Sequence, residues 1–301
     1  MPRRHLDEIV TPEVFAVFGP TASGKSAVAE ALAERLGTGV VSADALQVYR
    51  GLPLLTNQPA RPTRLVGFVS PQETMSVGAY AALAHEAVDE LVDEHGTAVV
   101  AGGTGLYLQA ALVELGIPQP PAAGVRERWE RIYDADPAAA YERLGLADPA
   151  AAAAVHPHDR RRVVRALELA EAGASLVPER DLLRSRERRR PTLVAGLEVP
   201  PHELERRIRQ RTDAMFAAGV VAEVHAALAA GVSATAERAL GLREIASLPP
   251  EQARERIVVR TRQYAAYQRK WMRRLPDLVP VDGTRGPGEV ADAILEVARA
   301  R

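Results

Sequence analysis

The residues Gly19-Pro20-Thr21-Ala22-Ser23-Gly24-Lys25-Ser26 fit the spacing G-x-x-x-x-G-K-[ST]. The glycines let backbone N–H groups converge on phosphate oxygens. A helix opening at the end of such a loop adds partial positive charge. Gly19, Thr21, Ala22, Ser23, Gly24, Lys25 and Ser26 are therefore candidate phosphate ligands, with Lys25 reaching the terminal phosphate and Ser26 the expected ligand of Mg²⁺. Of the 38 basic residues only Lys25 and Lys270 are lysine, and one of the two stands in this loop. A compact ammonium on a flexible stem suits that position, where a planar guanidinium does not fit.

Two further features bear on chemistry. Asp44 follows an apolar run next to the phosphate loop. A carboxylate there is a general base, a metal partner or a simple turn residue; residue type alone leaves all three open. Gly102-Gly103-Thr104-Gly105-Leu106-Tyr107 is a second glycine turn after an apolar run. Either bare backbone approaches a ligand there, or helix and sheet pack closely. A nucleotide hydrolase would end this run on a metal-binding aspartate. Glycines and a threonine stand there instead, so the loop indicates a di- or triphosphate without indicating ATP hydrolysis.

The elements that must hold these residues alternate. Strands are expected at 14–18, 40–43 and 98–101, with helices at 26–36 and 77–94 and another after Gly105. Such alternation predicts an α/β fold, a parallel phosphate-loop sheet wrapped by helices. From about 118 to 190 the chain is rich in alanine and arginine, with no convincing strand, and reads as an inserted helical lobe. A strand returns at 192–199. A long amphipathic helix follows, carrying Leu204, Ile208, Met215, Val224 and Leu228, with Gly219 as a possible bend. Val279-Pro280-Val281-Asp282 reads as an edge strand because of its proline, and 289–299 as a last helix. The expected domains are a core of 13–115 with 191–301 and an insertion of 116–190.

Composition bounds the rest. Hydrophobic residues at 47% support a large core, and the absence of cysteine excludes disulfides and thiolate metal sites. No apolar run reaches membrane-spanning length and the first residues lack a signal-peptide core, so a cytoplasmic protein with no membrane partner is expected. The net charge of −1 indicates no partner, yet basic residues cluster at 160–165, 184–190 and 254–274. Each run alone is as readily a solvated helix face; together they favour a polyanionic partner.

The combined pattern resembles the tRNA dimethylallyltransferases (isopentenyl pyrophosphate transferases). Besides the phosphate loop, the string from Ser42 through Asp44, Ala45, Leu46 and Gln47 to Gly51 resembles their second motif, and Gly102 to Tyr107 their third. His156-Pro157-His158-Asp159 with the arginines up to Glu168 resembles their insertion signature. Arg207, Ile208, Arg211, Met215, Gly219, Glu223 and Val224 resemble the helix after it. Thr261-Arg262-Gln263-Tyr264-Ala265, Gln268, Trp271 and Arg273 resemble their C-terminal signature.

The resemblance implies transfer of a dimethylallyl group from its diphosphate to N6 of the adenosine 3′ of the anticodon, by a monomer that binds a tRNA anticodon stem-loop. It implies catalytic roles for Asp44, Thr104 and Arg211, with Asp44 taking the N6 proton. Ala45, Leu46 and Gln47 would line the flipped base. Arg161, Arg162, Arg165, Arg238, Gly241, Arg243, Arg262 and Arg269 would contact the tRNA. Three stretches depart from the family pattern. Ala45 replaces a serine, Leu54 to Pro59 replaces a Gly-Thr-Ala-Lys-Pro ending without the histidine pair that follows it, and Ala266-Tyr267 replaces a basic pair. A small-molecule kinase with the same loop, an adenylate isopentenyltransferase and a nucleotide-dependent RNA-binding protein are the rival readings.

Overall fold

A computed structural model describes residues 11–116, 124–177 and 186–300. Five parallel strands form one sheet in the order β2-β3-β1-β4-β5. They are β1 (Val14–Phe18), β2 (Val40–Ser42), β3 (Ala98–Gly102), β4 (Thr192–Glu198) and β5 (Leu278–Asp282). β1 is central and buried throughout, because a parallel strand covered on both faces has no polar side. Its residues alternate between two cores: Val14, Ala16 and Phe18 face one, Phe15 and Val17 the other. Pro280 lies on β5, which is an edge strand as its proline requires.

Helices α1 (Lys25–Leu36) and α13 (Pro287–Arg299) cover the Phe15 face through Val28, Leu32, Val290 and Ile294. The other face is covered by α3 (Val77–His95), α4 (Gly105–Leu112), α10 (Val220–Ala230), α11 (Leu242–Ser247) and α12 (Pro250–Met272). A short helix, α2 (Pro53–Thr56), packs with α10; the Glu223 carboxylate accepts from the N–H groups of Leu54 and Leu55 at 2.9 and 2.8 Å. The expected long helix is two helices, α9 (Pro201–Ala217) and α10, bent by 69° at Gly219, whose φ of 96° suits glycine alone. No single helix among the described residues is long and apolar enough to cross a membrane.

The chain divides into two compact units, Met1–Leu115 with Leu182–Arg301, and Gly116–Asp181. The smaller unit holds α5 (Val125–Ala135), α6 (Pro137–Ala147), α7 (Pro149–Ala154) and α8 (Arg160–Glu171), with no strand among its described residues. Asp136, Asp148 and Asp159 cap three of these helices through bonds of 3.0–3.1 Å to backbone N–H groups. Tyr133, Leu144, Val163, Val164 and Leu167 form its core.

The basic run at 184–190 is partly spent within the larger unit. Arg189 and Arg190 both pair with Asp89 of α3, at 2.8 and 2.7 Å, and Arg190 also pairs with Glu13 at 2.9 Å. These charges hold the chain entering β4 against the larger unit, so residues 186–190 belong to the core and not to the insertion. Arg184 lies outside the described residues.

Candidate active site

The phosphate loop joins the carboxyl end of β1 to α1. Between β3 and β4 the chain crosses from one side of β1 to the other, so the loop lies at the switch point where ligands of open parallel sheets bind. Ala22 and Gly24 take positive φ values of 64° and 88°. No side chain caps α1, so its first N–H groups are left for an anion. A Cβ on Gly19 would lie 2.6 Å from Ser23 Oγ, a buried hydroxyl with no protein partner.

A cavity open to solvent lies beside this loop. Thr21, Lys25 and Ser26 enter it from the loop, and Asp44, Leu46 and Gln47 from the segment after β2. Arg211 enters from α9 and donates to Thr21 Oγ1 at 2.8 Å. Burial lowers the Lys25 pKa to about 8, against the pull of Asp44 and with the push of Arg211. Burial lowers the Arg211 value too, while Asp44 raises it. The two cations thus stand close together with Asp44 as counter-charge, an arrangement that a polyanion relieves. Apolar residues complete the wall: Leu46, Leu55, Ile208, Met215, Leu240 and Ile257.

Asp44 is a turn residue that also faces the cavity. Its Oδ1 accepts from the Leu46 N–H at 3.0 Å, which shapes the turn, and the residue also lines the cavity. Thr104 Oγ1 accepts from the Ala45 N–H at 3.4 Å and stands 3.5 Å from the Tyr264 hydroxyl. Gln47 is fixed by Ser42, whose hydroxyl donates to it at 2.8 Å, and by the Asn57 carbonyl at 2.8 Å. Gln58, in the segment that departs from the family pattern, turns inward and donates to the carbonyls of Gln47 and Tyr49 at 3.1 and 2.7 Å.

The second glycine turn is explained by packing. A Cβ on Gly102 would lie 2.0 Å from the Ala43 carbonyl oxygen, and one on Gly105 2.5 Å from the Trp271 ring. On Gly103 it would strike Gln268 at 2.3 Å and crowd Lys25 at 3.2 Å. The glycines admit α12 and the lysine to the sheet end.

Helix α12 brings residues of the C-terminal signature, which were given no role in the site, to the cavity. Ile257, Thr261, Tyr264 and Gln268 recur on one face and line the cavity. Gln268 is buried; its Oε1 accepts from the Thr21 N–H at 2.7 Å and its Nε2 donates to the Gly103 carbonyl at 2.8 Å. One side chain therefore ties the phosphate loop to the turn after β3. The i, i+4, i+7, i+11 spacing was the available signal. Arg207 on α9 was also passed over as a site residue; it donates to the Ser23 and Gly283 carbonyls at 3.3 Å and pairs with Glu203 at 2.8 Å.

The expected RNA contacts divide. Arg161 and Arg162 are exposed on α8. Arg165 instead pairs at 3.0 Å with Glu168, whose carboxylate is fully buried and also takes Arg126 at 2.7 Å. Gly241 is buried with φ 105° at the start of α11, and a Cβ there would press on Leu55 and Ile257 at 3.0 and 3.2 Å. Its glycine serves packing and offers no surface to RNA. Arg238 is exposed, and Arg243 is exposed and pairs with Glu237 at 3.1 Å. Arg262 pairs with Glu205 at 3.1 Å, and Arg269 is exposed.

A family model described as IPP transferase matches residues 47–275, and one described as Isopentenyl transferase matches 12–64. The tRNA dimethylallyltransferase of Kineococcus radiotolerans is 38% identical, over 94% of this chain and 95% of that protein. The one from Anaeromyxobacter dehalogenans is 40% identical, over 86% and 91%. The crystal structure of the full-length tRNA isopentenylpyrophosphate transferase from Bacillus halodurans aligns with a TM-score of 0.66 at 28% identity, over 96% and 95% of the two chains. A eukaryotic dimethylallyltransferase solved acting on tRNA shares the fold, with a TM-score of 0.78 at 24% identity over 91% and 74%. Motifs in order along the chain, a cavity lined by the phosphate loop, the Asp44 segment and residues of α9 and α12, and relatives matched over nearly their whole length agree: the chain belongs to the tRNA dimethylallyltransferase (IPP transferase) family of prenyltransferases.

Proposed function

We propose that this protein transfers a dimethylallyl group from dimethylallyl diphosphate to N6 of the adenosine 3′ of the anticodon in tRNA, releasing diphosphate. One observation carries the reading: a single cavity sets Lys25 and Arg211 against an apolar wall, with a carboxylate at hand. An allylic diphosphate has the same division, an anionic head and a short branched hydrocarbon. Lys25, the loop N–H groups and Arg211 would hold the head. Leu46, Ile208, Met215 and Ile257 would hold the tail and keep water from the allylic carbon.

In the transfer the N6 lone pair forms a bond to C1, the C1–O bond breaks, and its electron pair leaves on diphosphate. Asp44 accepts the N6 proton. Lys25 and Arg211 stabilise the charge that grows on the leaving oxygen. β3 ends on Gly102, followed by Gly103 and Thr104, without the metal-binding aspartate of a nucleotide hydrolase, as fits a reaction in which diphosphate leaves and no water attacks. Mg²⁺ takes one or two protein oxygens together with phosphate oxygens and water. Ser26, which lines the cavity at the head of α1, would supply one such oxygen, and no group of three His, Cys, Asp or Glu among the described residues offers a closed metal site. When bound, the ion would neutralise charge on the diphosphate. The exposed Arg161 and Arg162 would contact the tRNA backbone, as would Arg238, Arg243, Arg262 and Arg269.

The test is incubation with labelled dimethylallyl diphosphate and either bulk tRNA, AMP or ATP. Label is expected in tRNA. Label in AMP instead would move the protein to the adenylate isopentenyltransferases, and no transfer would refute the reading.

A further inference from the structure

Helix α12 presents two different faces. Its inner face lines the cavity through Tyr264 and Gln268. Its outer face carries Tyr267, an aromatic side chain 52% exposed. The Tyr267 ring leans on Tyr264, centroid to centroid 6.3 Å at 22°, which fixes its plane while much of it stays open to solvent. Positive charge is unevenly spread along this helix. In its first part Arg254, Arg260 and Arg262 are drawn to Asp213, Glu244 and Glu205, and Arg256 is the one arginine of α12 there outside these ion pairs. Among the described residues no carboxylate lies within 4.0 Å of Arg269, Lys270, Arg273 or Arg274, and all four are exposed. A favourable helix dipole explains cations at a carboxyl end. It does not explain an oriented aromatic ring beside them that continues a tyrosine of the cavity wall.

We propose that Tyr267, braced by Tyr264, is a stacking ledge for an unpaired base of the RNA substrate next to the adenosine that enters the cavity. Open cations with an exposed ring are the chemistry that binds single-stranded nucleic acid, the cations tracking phosphates and the ring taking a base face. A loop nucleotide beside a flipped base has lost a stacking neighbour, and the ledge would replace it. The inference rests on the function proposed above and adds a subsite to it.

The experiment measures binding of an anticodon stem-loop RNA, and its prenylation, by wild type, Tyr267→Ala and Tyr267→Phe. Tyr267→Ala should weaken RNA binding by about 5- to 150-fold, the worth of one stacked base. It should leave dimethylallyl diphosphate affinity unchanged. Because stacking releases no counterion, the slope of log affinity against log salt should stay the same. Tyr267→Phe should restore binding. In abasic substitutions along the loop, one position should cost the wild type as much as Tyr267→Ala does and cost that variant nothing further. Equal RNA affinity for wild type and Tyr267→Ala, with prenylation intact, would overturn the ledge and leave the proposed function standing. Equal affinity with a changed sedimentation coefficient would assign the tyrosine to a protein contact and overturn it too. A wild type that neither binds nor prenylates RNA would overturn both.

Discussion

Replacing Gln268 by leucine removes two buried hydrogen bonds and little volume. The Thr21 N–H and the Gly103 carbonyl, bonded at 2.7 and 2.8 Å, are then without their partners inside the protein. A buried polar group left unpaired costs about 1–3 kcal/mol, so the pair costs about 2–6 kcal/mol if the backbone stays in place. The phosphate loop can lower that cost only by moving Thr21, whose hydroxyl also takes Arg211 at 2.8 Å, and so by spoiling the diphosphate cradle. Either way both stability and ligand affinity should fall. Urea unfolding reads the first and titration calorimetry with dimethylallyl diphosphate the second. Gln268→Glu separates the two bonds: a carboxylate still accepts from Thr21 but cannot donate to Gly103. It also sets a negative charge close to Lys25, so diphosphate affinity should drop further than stability. If Gln268→Leu unfolds at the wild-type midpoint and binds diphosphate with wild-type affinity, the bridge between α12 and the phosphate loop carries no energy and the reasoning fails.

Lys25→Met should abolish diphosphate binding and yet raise the thermal midpoint of the ligand-free protein at pH 7. The Lys25 pKa is lowered to about 8, so folding disfavours its charged form. That penalty is complete below about pH 8 and fades as pH rises towards the unfolded value of 10.5, so this one group makes the free protein more stable with rising pH across that window. An unchanged or lower midpoint would show the lysine to be well solvated. Diphosphate affinity of the free protein should correspondingly weaken above pH 8, measured by calorimetry in buffers of low ionisation enthalpy. Asp44→Asn should keep tRNA binding and lower single-turnover prenylation by about 10²- to 10⁴-fold, the usual worth of a general base; wild-type turnover would leave Asp44 a turn residue. Neutralising Arg161 and Arg162 should flatten the salt dependence of tRNA binding by about 0.7–0.9 for each phosphate that is no longer neutralised. Arg165→Gln should instead destabilise the small unit by about 1.5–3 kcal/mol, because the buried Glu168 keeps only one of its two arginines. Equal salt slopes for all three proteins would leave Arg161 and Arg162 as a solvated helix face.

What the sequence determined by itself was whatever depends on near neighbours. The glycines and lysine of the phosphate loop define its geometry within eight residues, and α1 must begin where they end. Continuous apolar runs gave the central strands, and Pro280 gave an edge strand, because burial on two faces and a missing N–H are local facts. The helical insertion was legible from alanine and arginine without strand-forming runs. Partners far apart in the chain were not legible. Gln268 meets Thr21 across 247 positions, and nothing local marks an amide as a bridge. The same limit hid the use of the basic runs. Arg189 and Arg190 are spent on Asp89, about a hundred positions away, while the end of α12 keeps its cations open; the Arg165–Glu168 pair, three positions apart on one helix, is the local pairing that the spacing allowed. A charge shows its sign in sequence, but only the fold brings a carboxylate within reach of it or leaves it facing water.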